Sequence, residues 1–264
     1  MAAELYDHAY GNFGHAAEAA VRRETYGEDI GQSSWTTAGE WLHFADQLGV
    51  QTGHDVLEVG SGSGGPAVYL AAERHCNVTG VDINEHGVRN ARALAGSKGL
   101  EERLRFEVVD AARPLPFPAA SFDAVISNDA MCHIPDRLSV LRDWHRLLRP
   151  GGRMLFTDAL VITGPVTSEE IANRASIGFY MFVPAGENER LIREAGFTHM
   201  STEDVTEAAA LVSSRRRAAR ERHRSALVDH EGEANFAGVQ RFLETVHVVA
   251  SERRLSRYAY LAHG

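Results

Sequence analysis

Cysteine is nearly missing from this chain of 264 residues: Cys76 and Cys132 are its two. Two thiols supply neither a disulfide framework nor a zinc set, and their sparsity suits a reducing, cytoplasmic setting. Lysine is scarcer still. Lys98 stands alone, so the 27 basic residues are otherwise all arginine, and Schiff-base chemistry has only Lys98 to draw on. No window approaches the ~18 consecutive apolar residues of a membrane span, so no membrane partner is expected. The opening stretch MAAELYDHAYGNFGH lacks the basic start and apolar run of a signal peptide. The 13 histidines form no H-x-x-x-H and no Cys/His pair at ligand spacing beside a second cluster, so no metal is expected.

Net charge is −9, which argues against nucleic acid as a partner, because phosphate-backbone binders rely on Lys and Arg. Hydrophobic residues make up 44% of the chain, enough for one large domain or one domain with a sizeable cap. The middle alternates β-branched runs with helical patterns, the mark of an α/β fold whose parallel sheet has helices on both faces. Strands are predicted at 55–59, 78–81, 104–109, 122–127 and 152–158. Helices are predicted at 66–74, 85–97 and 135–148, the last stopping at Arg149-Pro150-Gly151-Gly152. Three parts follow: a helical N-terminal lid over 1–50, a cofactor-binding core over 51–159, and 160–264 with helical cap insertions. Thr37-x-x-Glu40 and Thr167-x-x-Glu170 read as capping boxes. Residues 208–228 and 231–254 read as two long helices.

The central feature is Glu58-Val59-Gly60-Ser61-Gly62-Ser63-Gly64-Gly65, between a strand and a helix. Glycine there lets the backbone turn sharply and approach a ligand, with a helix N-terminus adding partial positive charge. Asp82 ends the next strand, where an acid can accept both hydroxyls of a ribose. Strand, loop, helix, strand and acid in that order point to a nucleoside-containing cofactor. Gly60, Gly62 and Gly65 also satisfy the dinucleotide spacing G-x-G-x-x-G, so an NAD-dependent oxidoreductase is an alternative. Three features turn the choice away from it. Glu58 makes the loop E-x-G-x-G-x-G, Asp110 follows the third strand, and Phe122-Asp123-Ala124-Val125-Ile126 precedes Leu148-Arg149-Pro150-Gly151-Gly152.

At these residues the chain resembles the class I S-adenosylmethionine-dependent methyltransferases, with a looser likeness to the sarcosine/dimethylglycine and natural-product enzymes that carry a helical cap. The resemblance implies a Rossmann-like seven-stranded sheet whose last strand is antiparallel, with 198–206 and 257–263 as its final strands. It implies S-adenosyl-L-methionine as cofactor and a small-molecule methyl acceptor as partner. Glu58, Gly60, Ser61 and Gly62 would lie near the methionine portion and Asp82 at the ribose. Ile83 would pack on adenine, and Asp110 with Ala111 would bound its amino edge. Asn128 would lie near the sulfonium end. Gln32, Ser33 and Trp35 are lid contacts in this reading, or part of an ordinary surface loop.

Ligands of open α/β sheets bind beyond the carboxyl ends of the strands, so the segment Asn128–Ile134 should face the methyl group. His133 is the candidate general base, because imidazole titrates near neutrality; Asp129 is the second candidate catalytic residue. The bland reading of His133 is a packing role beside the next helix. Tyr10, Cys132, Phe179, Tyr180 and Phe182 are candidate substrate contacts, with Tyr6 beside Tyr10 as a further closing residue. The three aromatics read equally as cap core, and Cys132 as a packing residue rather than a nucleophile. Arg215, Arg216, Arg217, Arg220, Arg222 and Arg224 form a basic run that could attract an anionic substrate, but acidic residues elsewhere outnumber them and the run reads first as a solvated helix face. A macromolecular methyl acceptor and a non-catalytic binding protein are further alternatives, and homo-oligomerisation stays open.

Overall fold

The computed structural model describes residues 7–264, so Tyr6 lies outside the described residues. β1 (Asp55–Val59), β2 (Asn77–Asp82), β3 (Leu104–Val108), β4 (Phe122–Ser127) and β5 (Leu148–Ile162) run parallel in the order β3-β2-β1-β4-β5. Beyond β5 come β8 (Leu255–His263) and then β7 (Thr198–Asp204), each antiparallel to its inner neighbour. This is the expected Rossmann-like seven-strand path. β6 (Val183–Pro184) adds an eighth strand, parallel to the end of β5, inside what the sequence reads as insertion. Two residues carry no periodicity, so nothing in the sequence marked it.

Alternation along the strands sends successive side chains to opposite faces. Val56, Val78 and Ile126 pack under α3 (Ala38–Leu48), α4 (Gly65–Arg74) and α5 (Glu85–Ser97). Leu57, Val125 and Met154 pack on the other face, against α6 (Arg137–Leu147) and α8 (Glu187–Glu194). Burial on both faces holds in the middle of the sheet, as at β4 and β5, while β3 at its edge alternates buried and exposed residues.

Over the carboxyl ends of the strands lie α1 (Asp7–Gly11), α2 (Ala16–Tyr26), α7 (Ser168–Arg174), α9 (Thr206–Arg222), α10 (Arg224–Glu231) and α11 (Glu233–Ser251). Ala17 and Val21 of α2 share a cluster with Ala219, Leu227 and Phe236, which joins the N-terminal segment to the cap. The two long helices expected after residue 207 are three. α9 ends at His223, which meets Glu24 of α2 at 2.6 Å, and Gly232 at φ 81° separates α10 from α11. Tertiary pairing thus breaks the first of the two expected helices at His223, while Gly232 sets the break expected a few residues earlier. No helix among the described residues is long and apolar enough to cross a membrane.

Arg257 of β8 binds these parts together. Its fully buried guanidinium donates to Asp129 Oδ1 at 2.8 Å, Glu40 Oε2 at 2.8 Å, Thr36 Oγ1 at 2.5 Å and Asn128 Oδ1 at 3.1 Å. Thr37 caps α3 as expected, accepting from Glu40 N at 3.2 Å, while the Glu40 carboxylate turns to Arg257. At Thr167 the box is complete, with Glu170 also holding Arg254.

Replacing Arg257 with leucine strands two buried carboxylates, and urea unfolding should show a loss of about 3–5 kcal/mol. Burial already lifts Glu40 above the ordinary carboxylate range while Arg257 pulls it back. A carboxyl raised in the folded state loses stability as pH rises past its unfolded value. The deficit of Arg257→Leu should therefore be larger near pH 8 than near pH 5; the reverse order would contradict this account.

Candidate functional site

The strand order reverses between β1 and β4, and the loops leaving these two strands meet there. Gly60 has φ +78°, and a Cβ on it would stand 2.5 Å from that of Ala130. Gly62, at φ +52°, would collide with the Tyr10 hydroxyl at 2.7 Å. Both positions need the freedom and the small size of glycine. The turn is pinned from beneath. Gly60 N donates to Val81 O at 2.8 Å and Gly62 N to Asp82 Oδ2 at 2.8 Å, while Asn84 N donates to Asp82 Oδ1 at 2.8 Å.

Glu58 is 2% exposed, and its Oε2 has no hydrogen-bond partner among the described residues; neither has Ser61 Oγ. Burial pushes the Glu58 carboxyl well above its ordinary range, and the charge of Asp82 adds to the effect. Asp82 is raised as well, by burial, against the N–H groups of Asn84, Gly62 and Ile83. Orphaned buried polar atoms are costly and uncommon. A glycine cradle with an unpaired carboxylate oxygen beneath it fits a ligand carrying a cationic amino group.

These residues open into a cavity of about 1050 Å³. Ile83, which is 37% exposed, lines it with Asp110 and Ala111. So do Tyr10, Gln32, Ser33 and Trp35 from the N-terminal segment, Asn128, Asp129, Cys132 and His133 after β4, and Phe179 and Tyr180. Phe182, a candidate substrate contact, does not line the cavity but packs against Cys132, Leu160, Val249 and Leu255.

The polar groups differ in what they have left to offer. Asn128 is engaged with Ser34, Thr36, Thr157 and Arg257. Asp129, in a left-handed conformation at φ 54°, accepts from Arg257 Nε, Thr157 Oγ1 and Trp35 N. Gln32 folds back on its own loop, bonding Ile30 N and Glu28 O. Cys132 is buried and its thiol is pushed far up by burial, which leaves no thiolate. His133 Nδ1 lies 2.9 Å from Phe179 O. A carbonyl only accepts, so Nδ1 carries the hydrogen and Nε2 is the basic nitrogen. Burial holds this imidazole below its ordinary value, against the Phe179 bond and with the charge of Arg174 assisting.

Further arginines gather at or beside the cavity. Arg257 comes from the last strand, and Arg174 closes α7 and lines the cavity. Arg220, expected on a solvated face, is 2% exposed and pairs with Glu231, while Arg216 also lines the cavity. None carries a local signal in a chain so rich in arginine.

Residues 57–156 match the methyltransferase domain family. The 27-O-demethylrifamycin SV methyltransferase of Amycolatopsis mediterranei is 33% identical over 206 residues, 74% of this chain and 75% of that protein. The methyltransferase GfsG of Streptomyces halstedii is 36% identical, over 61% of this chain and 59% of its own length. Among solved structures, a phosphoethanolamine N-methyltransferase of Haemonchus contortus holding S-adenosylhomocysteine superposes with a TM-score of 0.83. That superposition covers 99% of this chain and 59% of the other, at 21% identity, and speaks to the fold. With its glycine cradle, strand order and sequence matches together, this chain belongs to the S-adenosylmethionine-dependent methyltransferases that act on small molecules.

Proposed function

We propose that this protein methylates a nitrogen, oxygen or carbon nucleophile of a small metabolite, in the cytoplasm, with His133 as general base. The observation that carries the reading is the buried Glu58 carboxylate, unpartnered at Oε2 beneath the glycine turn and facing a cavity that reaches His133. Glu58 and Ser61 would hold the amino-acid end of the cofactor, and Asp82 the ribose. Ile83, Asp110 and Ala111 would surround the adenine. When bound, S-adenosylmethionine supplies a methyl group already activated on a sulfonium sulfur, so most of the acceleration comes from alignment. Trp35 closes the wall because Asp129 holds its backbone N–H. With its oxygens committed to Arg257, Thr157 and Trp35, Asp129 is a positioning residue in this scheme. His133, neutral near pH 7, would accept the acceptor's proton at Nε2.

Calorimetry with S-adenosylhomocysteine tests the cofactor half. Gly60→Val should abolish binding, and Glu58→Gln should weaken it about 10- to 100-fold through loss of one charge-assisted hydrogen bond. Burial raises the free Glu58, and a cationic partner lowers it, so binding should release a proton between those two values and tighten as pH rises through that window. Glu58→Gln should lose the proton release; its persistence would remove Glu58 from the site.

The base is tested by turnover, read as gain of one methyl by mass spectrometry across candidate amines, phenols and sugars. His133→Gln should cut turnover about 10²-fold or more while leaving S-adenosylhomocysteine affinity intact. The wild-type rate should rise with pH to a plateau through a midpoint below about 6.5, the ordinary histidine value. Unaltered turnover in His133→Gln would end its role as base.

A further inference from the structure

Arg174 is a buried cation that the cofactor chemistry does not use. It ends α7, is 3% exposed, and lines the cavity. Its guanidinium carbon lies 4.9 Å from the ring centre of Tyr180, 5.1 Å from that of Phe242 and 5.8 Å from that of Trp35. Nη1 is buried without a hydrogen-bond partner among the described residues, and no carboxylate there is paired with Arg174. Asp129 of the cavity wall is committed to Arg257 at 2.8 Å, and Asp158, buried behind it, to Arg137 at 2.6 Å.

A desolvated guanidinium without a counter-ion is costly. The aromatic rings recover part of that cost through their negative faces. They leave Nη1 unmet, on a group whose planar fork suits two oxygens of one anion. The wall around Arg174 is apolar: Ala159, Ile177, Val239 and Leu243 line the cavity there and pack in the cluster of Trp35 and Phe242. At about 1050 Å³ the cavity meets the upper end of the ~300–1,000 Å³ range of single-ligand pockets, which leaves space for an acceptor beside a cofactor.

We propose that Arg174, stacked among Tyr180, Phe242 and Trp35, anchors an anionic oxygen group, a carboxylate or a phosphate, on a mainly apolar methyl acceptor. The identity of that ligand as acceptor rests on the methyltransferase reading; the anion site itself does not. His133 and Arg174 both lie against the Tyr180 ring, at 4.6 Å and 4.9 Å from its centre, so an acceptor held by its anion presents its neighbouring atoms to the histidine.

Binding of 3-phenylpropanoate, 3-phenylpropyl phosphate and neutral 3-phenylpropanol to the full chain, with and without saturating S-adenosylhomocysteine, tests the proposal. At least one of the anions should bind the wild type about tenfold tighter than the alcohol, and the stronger of the two identifies the oxyanion. Arg174→Met should abolish the preference, and Arg174→Lys should keep part of it, with S-adenosylhomocysteine affinity unchanged in both. If Arg174→Met fails to fold, as judged by its unfolding midpoint, Arg174→Gln replaces it. Equal binding of alcohol and anions by the wild type, or an anion preference that survives in the folded neutral variant, overturns the anion site. Failure to bind S-adenosylhomocysteine overturns the methyltransferase reading instead, and leaves an anion preference measured without it standing.

Discussion

A single guanidinium, that of Arg257, joins segments that lie far apart in the chain. It projects from the last strand into a dry space where the loop after β4, the turn before α3 and the first turn of α3 converge. Two carboxylates and two neutral oxygens meet it there, so the charge is paired and its donors are used. Burying an ion pair seldom adds much net stability, but breaking one is expensive. Such a hub favours one arrangement of lid, sheet and site loop over looser ones. Asp129 carries that order onward, holding Trp35 at the cavity wall through its second oxygen.

The second determinant is the close approach at the switch point. Gly60 and Ala130 leave no room for a larger side chain between the loops of β1 and β4. The glycine turn after β1 is therefore in contact with the segment that carries His133. Bringing two reactants together is most of what methyl transfer asks of a protein when the donor is already activated. The sheet accomplishes this with backbone, and the cap then surrounds the space.

Charge is distributed unevenly along the cavity. Glu58 and Asp82 lie under the glycine turn, both raised by burial. Arg174 stands among aromatic rings on the wall that also bears His133. A cationic ligand and an anionic one would each find the end that suits it, and each would relieve a desolvation cost present in the free protein. Low dielectric strengthens both preferences.

The cofactor half of the site could be read from residue order because it is local. Glu58, Gly60, Gly62 and Asp82 lie on one strand–turn–helix–strand unit, and backbone sterics dictate glycine at the turn whatever surrounds it. The parallel sheet was likewise legible from period and β-branched runs, whereas the antiparallel close through β8 was implied by the family resemblance. What could not be read is set by contacts between distant segments. The break at His223 depends on Glu24 of another helix, and the two-residue β6 exists only because β5 extends to Ile162. Arg257 and Arg174 look like any other arginine until burial removes their water and selects their neighbours. Phe182 and Tyr180 stand two residues apart and pack against the same apolar cluster, yet only Tyr180 lines the cavity. Local chemistry was enough to write the turn; desolvation, which only the packed chain imposes, determined which charges became part of the site.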